Sequence, residues 1–109
     1  MADDRVRIDH SPEQERYQAI LVAEGDGDDG AGDSLVGYLD YVSGPDQVVV
    51  THTVILDAYS GRGYAGLLVR AVLDDIRPTG KRVVPVCSFV RHFIDVNPDY
   101  AEMVVAVPQ

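Results

Sequence analysis

The chain has 109 residues, enough for one domain with a modest core, and we expect a single domain over residues 1–109. Its 46% hydrophobic and 25% charged residues are typical of a soluble globular protein, and no apolar run reaches the roughly 18 residues that span a bilayer. Nine basic and eighteen acidic residues give a formal net charge of -9, which argues against a nucleic-acid partner and favours cationic partners such as amines.

The sequence also bears on cellular location and on cysteine chemistry. Residues 1–5 are acidic and polar with no apolar stretch behind them, so we expect no secretory signal, no membrane association and a cytoplasmic protein. Cys87 is the only cysteine, which excludes an internal disulfide and the zinc patterns that need several cysteines. We expect no metal site. The oligomeric state cannot be read from the sequence.

The first half of the chain predicts antiparallel strands. Residues 15–23 are rich in β-branched and aromatic side chains and predict a strand, preceded by a shorter one at residues 5–9. Residues 24–33 alternate glycine and aspartate like a calcium loop, but they lack the closing glutamate of an EF-hand, so a solvated hairpin loop is favoured. Residues 35–42 alternate between two faces and predict a third strand.

A fourth strand is predicted at residues 47–56, after a turn at Ser43-Gly-Pro-Asp46. This strand is apolar on both faces, which predicts a central strand covered on both sides. On an even alternation, His52 shares a face with Val50 and Val54.

The second half predicts a strand between two helices. Apolar residues recur at helical spacing from 63 to 77, and Pro78-Thr-Gly80 ends that helix. Residues 82–86 predict a strand parallel to the fourth, because a strand, helix, strand connection favours a right-handed crossover. Ser88 is a candidate cap for a second helix that Asn97-Pro98 stops, and residues 103–107 are a candidate last strand.

The turn between the fourth strand and the first helix carries the clearest functional signal. It places Gly61, Gly63 and Gly66 within six residues, with Arg62 among them. Glycines let main-chain N–H groups approach a ligand closely, and a helix N-terminus supplies unpaired donors and partial positive charge. The turn therefore predicts an anionic ligand, although the same glycines are also typical of a turn that only needs their backbone freedom.

Pro85 is unusual in a strand that pairs within a sheet, because proline has no N–H to donate to the ladder. A divergence of the strands at residues 47–56 and 82–86 would explain it. Such a gap leaves main-chain groups free to bond an extended ligand, and a pantetheine arm with its amides would fit there.

Together these features resemble the GNAT superfamily of acetyl-CoA-dependent N-acetyltransferases, in particular its short YjdJ-type subgroup. The resemblance covers most of residues 35–100. The residues that carry it are His52-Thr53, Ser60-Gly61-Arg62-Gly63-Tyr64-Ala65, Val84-Pro85-Val86-Cys87-Ser88-Phe89-Val90 and Asn97-Pro98-Asp99-Tyr100. It implies a compact α/β (α+β) fold with a mixed, mainly antiparallel sheet and two helices, lacking the helices that the superfamily usually places between its first two strands.

The resemblance also implies acetyl-CoA as cofactor. The pyrophosphate would lie on the backbone of Gly61, Arg62, Gly63, Tyr64, Ala65 and Gly66, with the pantetheine beside Val54, Ile55 and Leu56. Ser60 stands where the superfamily turn has glutamine or arginine, which is a departure from the pattern.

Two residues are candidates for the chemistry. The thioester would end near Cys87, whose place before a helix N-terminus can favour a thiolate nucleophile; a small buried residue lining the pocket is the alternative. His52 could accept a proton from the amine or from Cys87, or be a hydrogen-bonded structural residue. The implied function is acetyl transfer to a small-molecule or peptide amine. The alternative is a non-catalytic CoA or acyl-CoA binding module that acts through a protein partner.

Overall fold

The computed structural model describes residues 6–22 and 33–104, which form one sheet and two α-helices. The elements in chain order are β1 (Val6–Ser11), β2 (Arg16–Leu21), β3 (Ser34–Ser43), β4 (Gln47–Ile55), α1 (Tyr64–Ile76), β5 (Arg82–Pro85) and α2 (Ser88–Val96). Short 3-10 turns lie at Pro12–Gln14, Asp57–Tyr59, Arg77–Thr79 and Pro98–Met103.

The strands lie in the order β1-β2-β3-β4-β5. The first four pair antiparallel, and β5 pairs parallel to β4, from Gln47 opposite Arg82 to Val50 opposite Pro85. The predicted mixed, mainly antiparallel sheet is therefore confirmed. A single 3-10 turn joins β1 to β2, so the expected lack of helices between the first two strands is confirmed as well.

The amphipathic pattern of the 63–77 segment becomes α1. Gly63 precedes the helix in a left-handed conformation, and Gly80, also left-handed, ends the 3-10 turn that follows it. The side chains on its inner stripe are at most 5% exposed: Tyr64, Leu68, Val69, Val72, Leu73 and Ile76. Burial of this stripe, rather than intrinsic propensity, supplies most of the helix's stability.

The core lies on one face of the sheet. It combines the inner stripes of α1 and α2 with alternate strand residues, among them Tyr17, Leu39 and Val50. The two helices contact each other, since the ring of Phe93 lies beside Gly66. In the described ranges no helix covers the opposite face, which we call the open face, so the expectation that β4 is covered on both sides is wrong.

Two strand irregularities change which side chains share a face. Ala19 pairs with Gly37 and Ile20 with Leu35, which leaves Val36 as an extra residue that is fully buried. On β4, Tyr41 pairs with Val50 and Asp40 with His52, so Thr51 is a bulge.

The Thr51 bulge corrects the predicted position of His52. Residues directly opposite in an antiparallel pair project to the same side, and Thr53 lies opposite the buried Leu39. Thr53 is therefore on the core face together with Val50. His52 and Val54 lie on the open face, and the side chain of His52 is exposed.

The cap of α2 differs from the expectation. Cys87, not Ser88, is the N-cap of α2, and Phe89 is 36% exposed. Val104 makes a parallel bridge to Val83, while residues 105–107 of the candidate last strand lie outside the described part.

Two further findings concern metals and membranes. Residues 24–32 of the glycine- and aspartate-rich loop also lie outside the described ranges. Within residues 6–22 and 33–104, no three His, Cys, Asp or Glu side chains form a metal-ligand group. No helix in these ranges has the length and apolar composition needed to cross a membrane.

Candidate functional site

The turn before α1 takes its shape from two glycines. Gly61 has φ 78° and Gly63 has φ 83°, in the left-handed region that side chains other than glycine disfavour. A Cβ built on either residue would meet no atom within 4 Å. The glycines are thus required by the backbone conformation, and the space in front of them is open.

The first turn of α1 presents its main-chain donors at this opening. The first hydrogen bond of the helix runs from the Leu67 N–H to the Gly63 carbonyl at 3.2 Å. The N–H groups of residues 64–66 therefore have no acceptor within the helix. No side chain caps this end. Such an end attracts an anion.

A groove of about 330 Å³ begins at this turn. Its lining combines the end of β4, the turn and the start of α1 with one residue of α2: Ile55, Tyr59, Ser60, Gly61, Gly63, Tyr64, Ala65, Gly66 and Phe89. The partly exposed ring of Phe89 forms one wall, and the Phe93 ring of α2 lies beside Gly66, where an added Cβ would be in ordinary van der Waals contact with it at 3.7 Å. The groove is open to a long ligand and has an apolar wall.

Beyond Val50 the two parallel strands separate. Pairing ends at Val50 and Pro85, and one more hydrogen bond, from the Cys87 N–H to the Val50 carbonyl at 3.0 Å, closes the junction. The Val86 N–H turns back to the Val84 carbonyl at 3.1 Å. The divergence that Pro85 suggested is therefore present, and among the described residues no strand pairs with this edge of β4 from Thr51 onward.

The gap-facing groups of β4 can be assigned by alternation. The Leu56 N–H donates to the Val36 carbonyl on β3 at 2.9 Å. Because main-chain groups of successive strand residues point to opposite edges, those of Thr53 and Ile55 point into the gap. These two residues offer the donors and acceptors that an extended amide-containing chain would pair with.

Cys87 and Thr53 meet at the top of the gap. The Cys87 thiol donates to the Thr53 hydroxyl across 3.4 Å, and both side chains are half-buried. Cys87 also holds the start of α2, because its carbonyl accepts the Arg91 N–H at 3.2 Å. The structure thus brings the predicted nucleophile candidate to the gap with a partner that the sequence did not indicate.

His52 lies on the other side of the sheet, opposite Asp40. Asp40 is engaged by Arg16 through two hydrogen bonds of 2.6 and 3.1 Å, and the Arg16 guanidinium lies 4.0 Å from the centre of the Tyr38 ring. The hydrogen bond to Asp40 raises the pKa of Arg16. His52 therefore sits at the open face beside a paired carboxylate, separated by the sheet from the Cys87 thiol.

Comparison with known proteins adds the family. The model of the GCN5-related N-acetyltransferase family matches residues 27–103. The chain belongs to this family. The match includes the glycine turn, the strand junction and α2, the parts that form the groove. It concerns the family as a whole, and membership of the YjdJ-type subgroup stays a prediction.

Two mammalian relatives agree with this assignment. The chain is 30% identical over 93 residues to the protein NATD1 of Bos taurus, covering 85% of this chain and 75% of that protein. It is 28% identical over 93 residues to NATD1 of Mus musculus, covering 85% of this chain and 77% of that protein.

A solved structure confirms the fold. A GCN5-like protein of Staphylococcus aureus, determined by NMR in solution, superposes with a TM-score of 0.65 at 18% sequence identity. The match covers 96% of this chain and 93% of that one. The GNAT-like fold class is thereby confirmed for this N-acetyltransferase-like chain.

The predicted site residues separate into four groups in the structure. Ile55, Gly61, Gly63, Tyr64, Ala65 and Gly66 line the groove. Cys87 lies at the gap, and His52 and Val54 lie on the open face. Arg62 and Leu56 are exposed beside the groove without lining it.

Four residues of the site were missed. Thr53, Tyr59, Ser60 and Phe89 line the groove or the gap. The polar run Thr51-His-Thr53 in a valine-rich strand was the available signal for Thr53. Phe89 followed the apolar pattern of α2 and gave no sign that it is partly exposed.

Tyr100 is buried and lies away from the groove. Its hydroxyl donates to Asp74 at 2.7 Å and accepts from Arg70 at 3.2 Å. Burial, together with the hydrogen bond to Asp74, raises the pKa of Tyr100. These contacts give Tyr100 a packing role between α1 and the Pro98–Met103 turn.

Proposed function

We propose that the chain binds acetyl-CoA in the groove and transfers its acetyl group to a primary amine. One observation carries the proposal: the free N–H groups at the start of α1 and the unpaired edge of β4 border the same groove. Bound there, acetyl-CoA would supply the acetyl group as an activated thioester.

The phosphate end of the ligand fits the turn. Backbone N–H groups of residues 64–66 and the positive end of the α1 dipole favour a pyrophosphate, and Arg62 adds the only cationic side chain within the turn. Ser60 takes the place of a glutamine or arginine, so in this chain the binding rests mainly on the backbone.

The pantetheine end fits the gap. Its amides can pair with the gap-facing groups of Thr53 and Ile55, while Phe89 and Tyr59 cover its apolar parts. An arm laid along β4 in this direction ends beside Cys87 and Thr53.

Two routes for the transfer use the residues at the gap differently. In the direct route, the amine nitrogen would attack the thioester carbonyl, the carbon–sulfur bond would break, and the amine proton would pass to a base. CoA would leave as a thiolate that takes up a proton from water. His52 is exposed on the open face and is the base candidate for an amine that arrives from that side.

In the covalent route, the Cys87 sulfur would accept the acetyl group as the carbon–sulfur bond to CoA breaks, and the Cys87 thiol proton would pass to the departing CoA sulfur. The amine then attacks the acetylated cysteine, which restores the thiol. The Thr53 hydroxyl would fix the direction of the Cys87 sulfur toward the gap.

Thermal unfolding with and without acetyl-CoA tests the binding claim. A ligand at 100 times its dissociation constant adds about 2.7 kcal/mol of stability. ADP is the control, since it carries a pyrophosphate without the pantetheine arm, and we expect acetyl-CoA to stabilise more than ADP. No shift with millimolar acetyl-CoA would overturn the proposal.

A thiol-release assay across a panel of amines tests the transfer. Release of CoA that depends on an added amine supports the acetyltransferase. Stabilisation by acetyl-CoA without release for any amine would instead support the non-catalytic binding module.

Intact-mass measurement separates the two routes. The covalent route predicts one added acetyl group after exposure to acetyl-CoA without amine, lost in Cys87→Ala. Full turnover by Cys87→Ala would eliminate that route and leave direct attack.

A further inference from the structure

A second cavity, of about 130 Å³, lies between the sheet and the C-terminal end of α1. Its floor is formed by Tyr17, Tyr41, Val48 and Ile76, each at most 8% exposed. It shares no lining residue with the groove. Asp75, on its rim, follows Tyr64 by eleven residues, about 16 Å along the helix axis, so this cavity is a separate place on the molecule.

One side of the cavity is acidic. The Asp75 carboxylate accepts a hydrogen bond from the Tyr17 hydroxyl at 2.6 Å and lies 3.9 Å from Nδ1 of His10. The His10 ring stacks on Tyr17 at 4.0 Å, and its Nε2 lies 2.6 Å from the Tyr41 hydroxyl. Asp75 remains more than half exposed, so its carboxylate can accept further bonds.

The electrostatic potential at the Tyr41 hydroxyl is negative. Burial raises the pKa of Tyr41, and the charges of Glu15, Asp75 and Glu13 raise it further. Three carboxylates thus act on one hydroxyl at the cavity floor. An ammonium group would be stabilised here.

The other side of the cavity carries one cation, Lys81, and next to it the Glu15 carboxylate, which accepts the Ser43 main-chain N–H at 2.8 Å. The Lys81 ammonium donates to the Ser43 hydroxyl at 3.0 Å, which uses one of its three donors. The Thr79 hydroxyl accepts the Lys81 main-chain N–H at 3.2 Å and donates to the Ile76 carbonyl at 2.6 Å, which holds this segment in place. Lys81 is the only lysine of the chain.

We propose that this cavity binds a small zwitterion of the amino-acid type, with its ammonium group on Asp75 and its carboxylate on Lys81. A lone amine would leave Lys81 without a ligand contact, and a lone carboxylate would meet the charges of Asp75 and Glu15, so we expect a molecule that carries both charges to bind best. The volume equals that of about four water molecules, which admits a molecule the size of glycine or alanine. The proposal is independent of the acetyl-CoA groove.

Titration of the chain with glycine, followed by NMR, tests the proposal. Methylammonium and acetate at matched ionic strength are the single-charge probes. We expect saturable shifts around Tyr17, Asp75 and Lys81 with glycine, and binding weaker by about tenfold or more for either single-charge probe, because each loses one charge-assisted contact. Equal affinities for methylammonium and glycine would overturn the proposal that the ligand is a zwitterion.

Two variants locate the site. Asp75→Asn keeps an acceptor for Tyr17 but removes the charge, and Lys81→Met removes the ammonium; each is expected to weaken glycine binding by about tenfold or more. Asp95→Asn, on the exposed side of α2, is the control for net charge and should bind as wild type. Shifts that are unsaturable, or unchanged in Lys81→Met, would overturn the proposal even if Asp75→Asn failed to fold.

Discussion

The Sγ of Cys87 lies 3.4 Å from the Oγ1 of Thr53, on the face of the sheet that carries the helices. His52, one residue earlier, lies on the opposite face because of the bulge at Thr51. The thiol and the imidazole are therefore on different sides of β4. His52 is therefore better placed to accept a proton from an amine that arrives at the open face than from the Cys87 thiol.

Gly63→Ala is expected to lower the free energy of unfolding by about 1 to 2 kcal/mol, because a side chain is disfavoured at φ 83°. No steric clash adds to this cost, since the space around the new Cβ is empty. Gly80→Ala is the matched control: its φ is 77° and its surroundings are equally open, so it should lose a similar amount. Urea unfolding measures both.

The same pair of variants separates backbone strain from ligand binding. Gly63→Ala is expected to reduce the thermal shift caused by acetyl-CoA, because it distorts the turn before the free N–H groups of α1. Gly80→Ala lies at the other end of α1 and should keep that shift. An equal shift in both variants would argue that the turn does not hold the phosphates.

Gly37→Ala is expected to destabilise the chain by about 1 to 3 kcal/mol through overpacking. Its Cβ would lie 2.3 Å from the Val54 carbonyl oxygen and 2.6 Å from Cδ1 of Ile55, so β4 would have to move. Gly44→Ala, whose Cβ would be 3.5 Å from its nearest neighbour, should change stability much less. Chemical denaturation compares them; equal losses would contradict the close approach of β3 to β4.

His52→Ala is expected to lower the turnover number for amine acetylation by a factor of about 10² to 10⁴, the range for loss of a general base. The acetyl-CoA thermal shift should be retained, since His52 does not line the groove. His92→Ala, another exposed histidine but on α2, is the control and should keep its activity. Undiminished turnover in His52→Ala would remove His52 from the chemistry.

The stability of the chain is expected to fall as the pH rises above about 10, the ordinary tyrosine pKa. Burial, the hydrogen bond to Asp75 and the charges of Asp75 and Tyr41 raise the pKa of Tyr17, so the folded state keeps a proton that the unfolded state has lost. The contribution of Tyr17 to stability is fully present below the pKa that this tyrosine has in the unfolded chain, and it declines above that pKa. Urea unfolding at pH 8 and pH values above 10 measures the decline.

Tyr17→Phe tests that assignment. It should cost about 1 kcal/mol at neutral pH, through the lost hydrogen bond to Asp75, and should make the alkaline decline shallower. Tyr38→Phe, on the open face, is the control. A decline of the same slope in Tyr17→Phe would contradict the role of this hydroxyl.

The elements that depend on local pattern could be predicted from the sequence. The 3.6-residue periodicity of α1 and the glycines around it fixed its ends within one residue, and Pro85 indicated where β4 and β5 separate. These signals act between near neighbours in the chain, where periodicity and turn chemistry are informative.

The features that were missed depend on distant partners. The bulge at Thr51 arises from the pairing of β4 with Asp40 and Tyr41, so a simple alternation misplaced His52. The zwitterion cavity likewise combines His10, Asp75 and Lys81, which are far apart in sequence. The sequence also does not show that Tyr17 reaches Asp75, because the two residues lie 58 positions apart in the chain.

The position of Lys81 has a consequence for measuring acetylation. The only lysine precedes β5, whereas Cys87 follows it, at the opposite end of the strand. The single side-chain amine of the chain therefore lies away from the proposed reaction centre. It should compete little with added amine acceptors. An acetyl group found on Cys87 indicates the covalent route, and one found on Lys81 indicates attack between molecules. A peptide mass spectrum, which assigns the acetyl group to a residue, distinguishes the two.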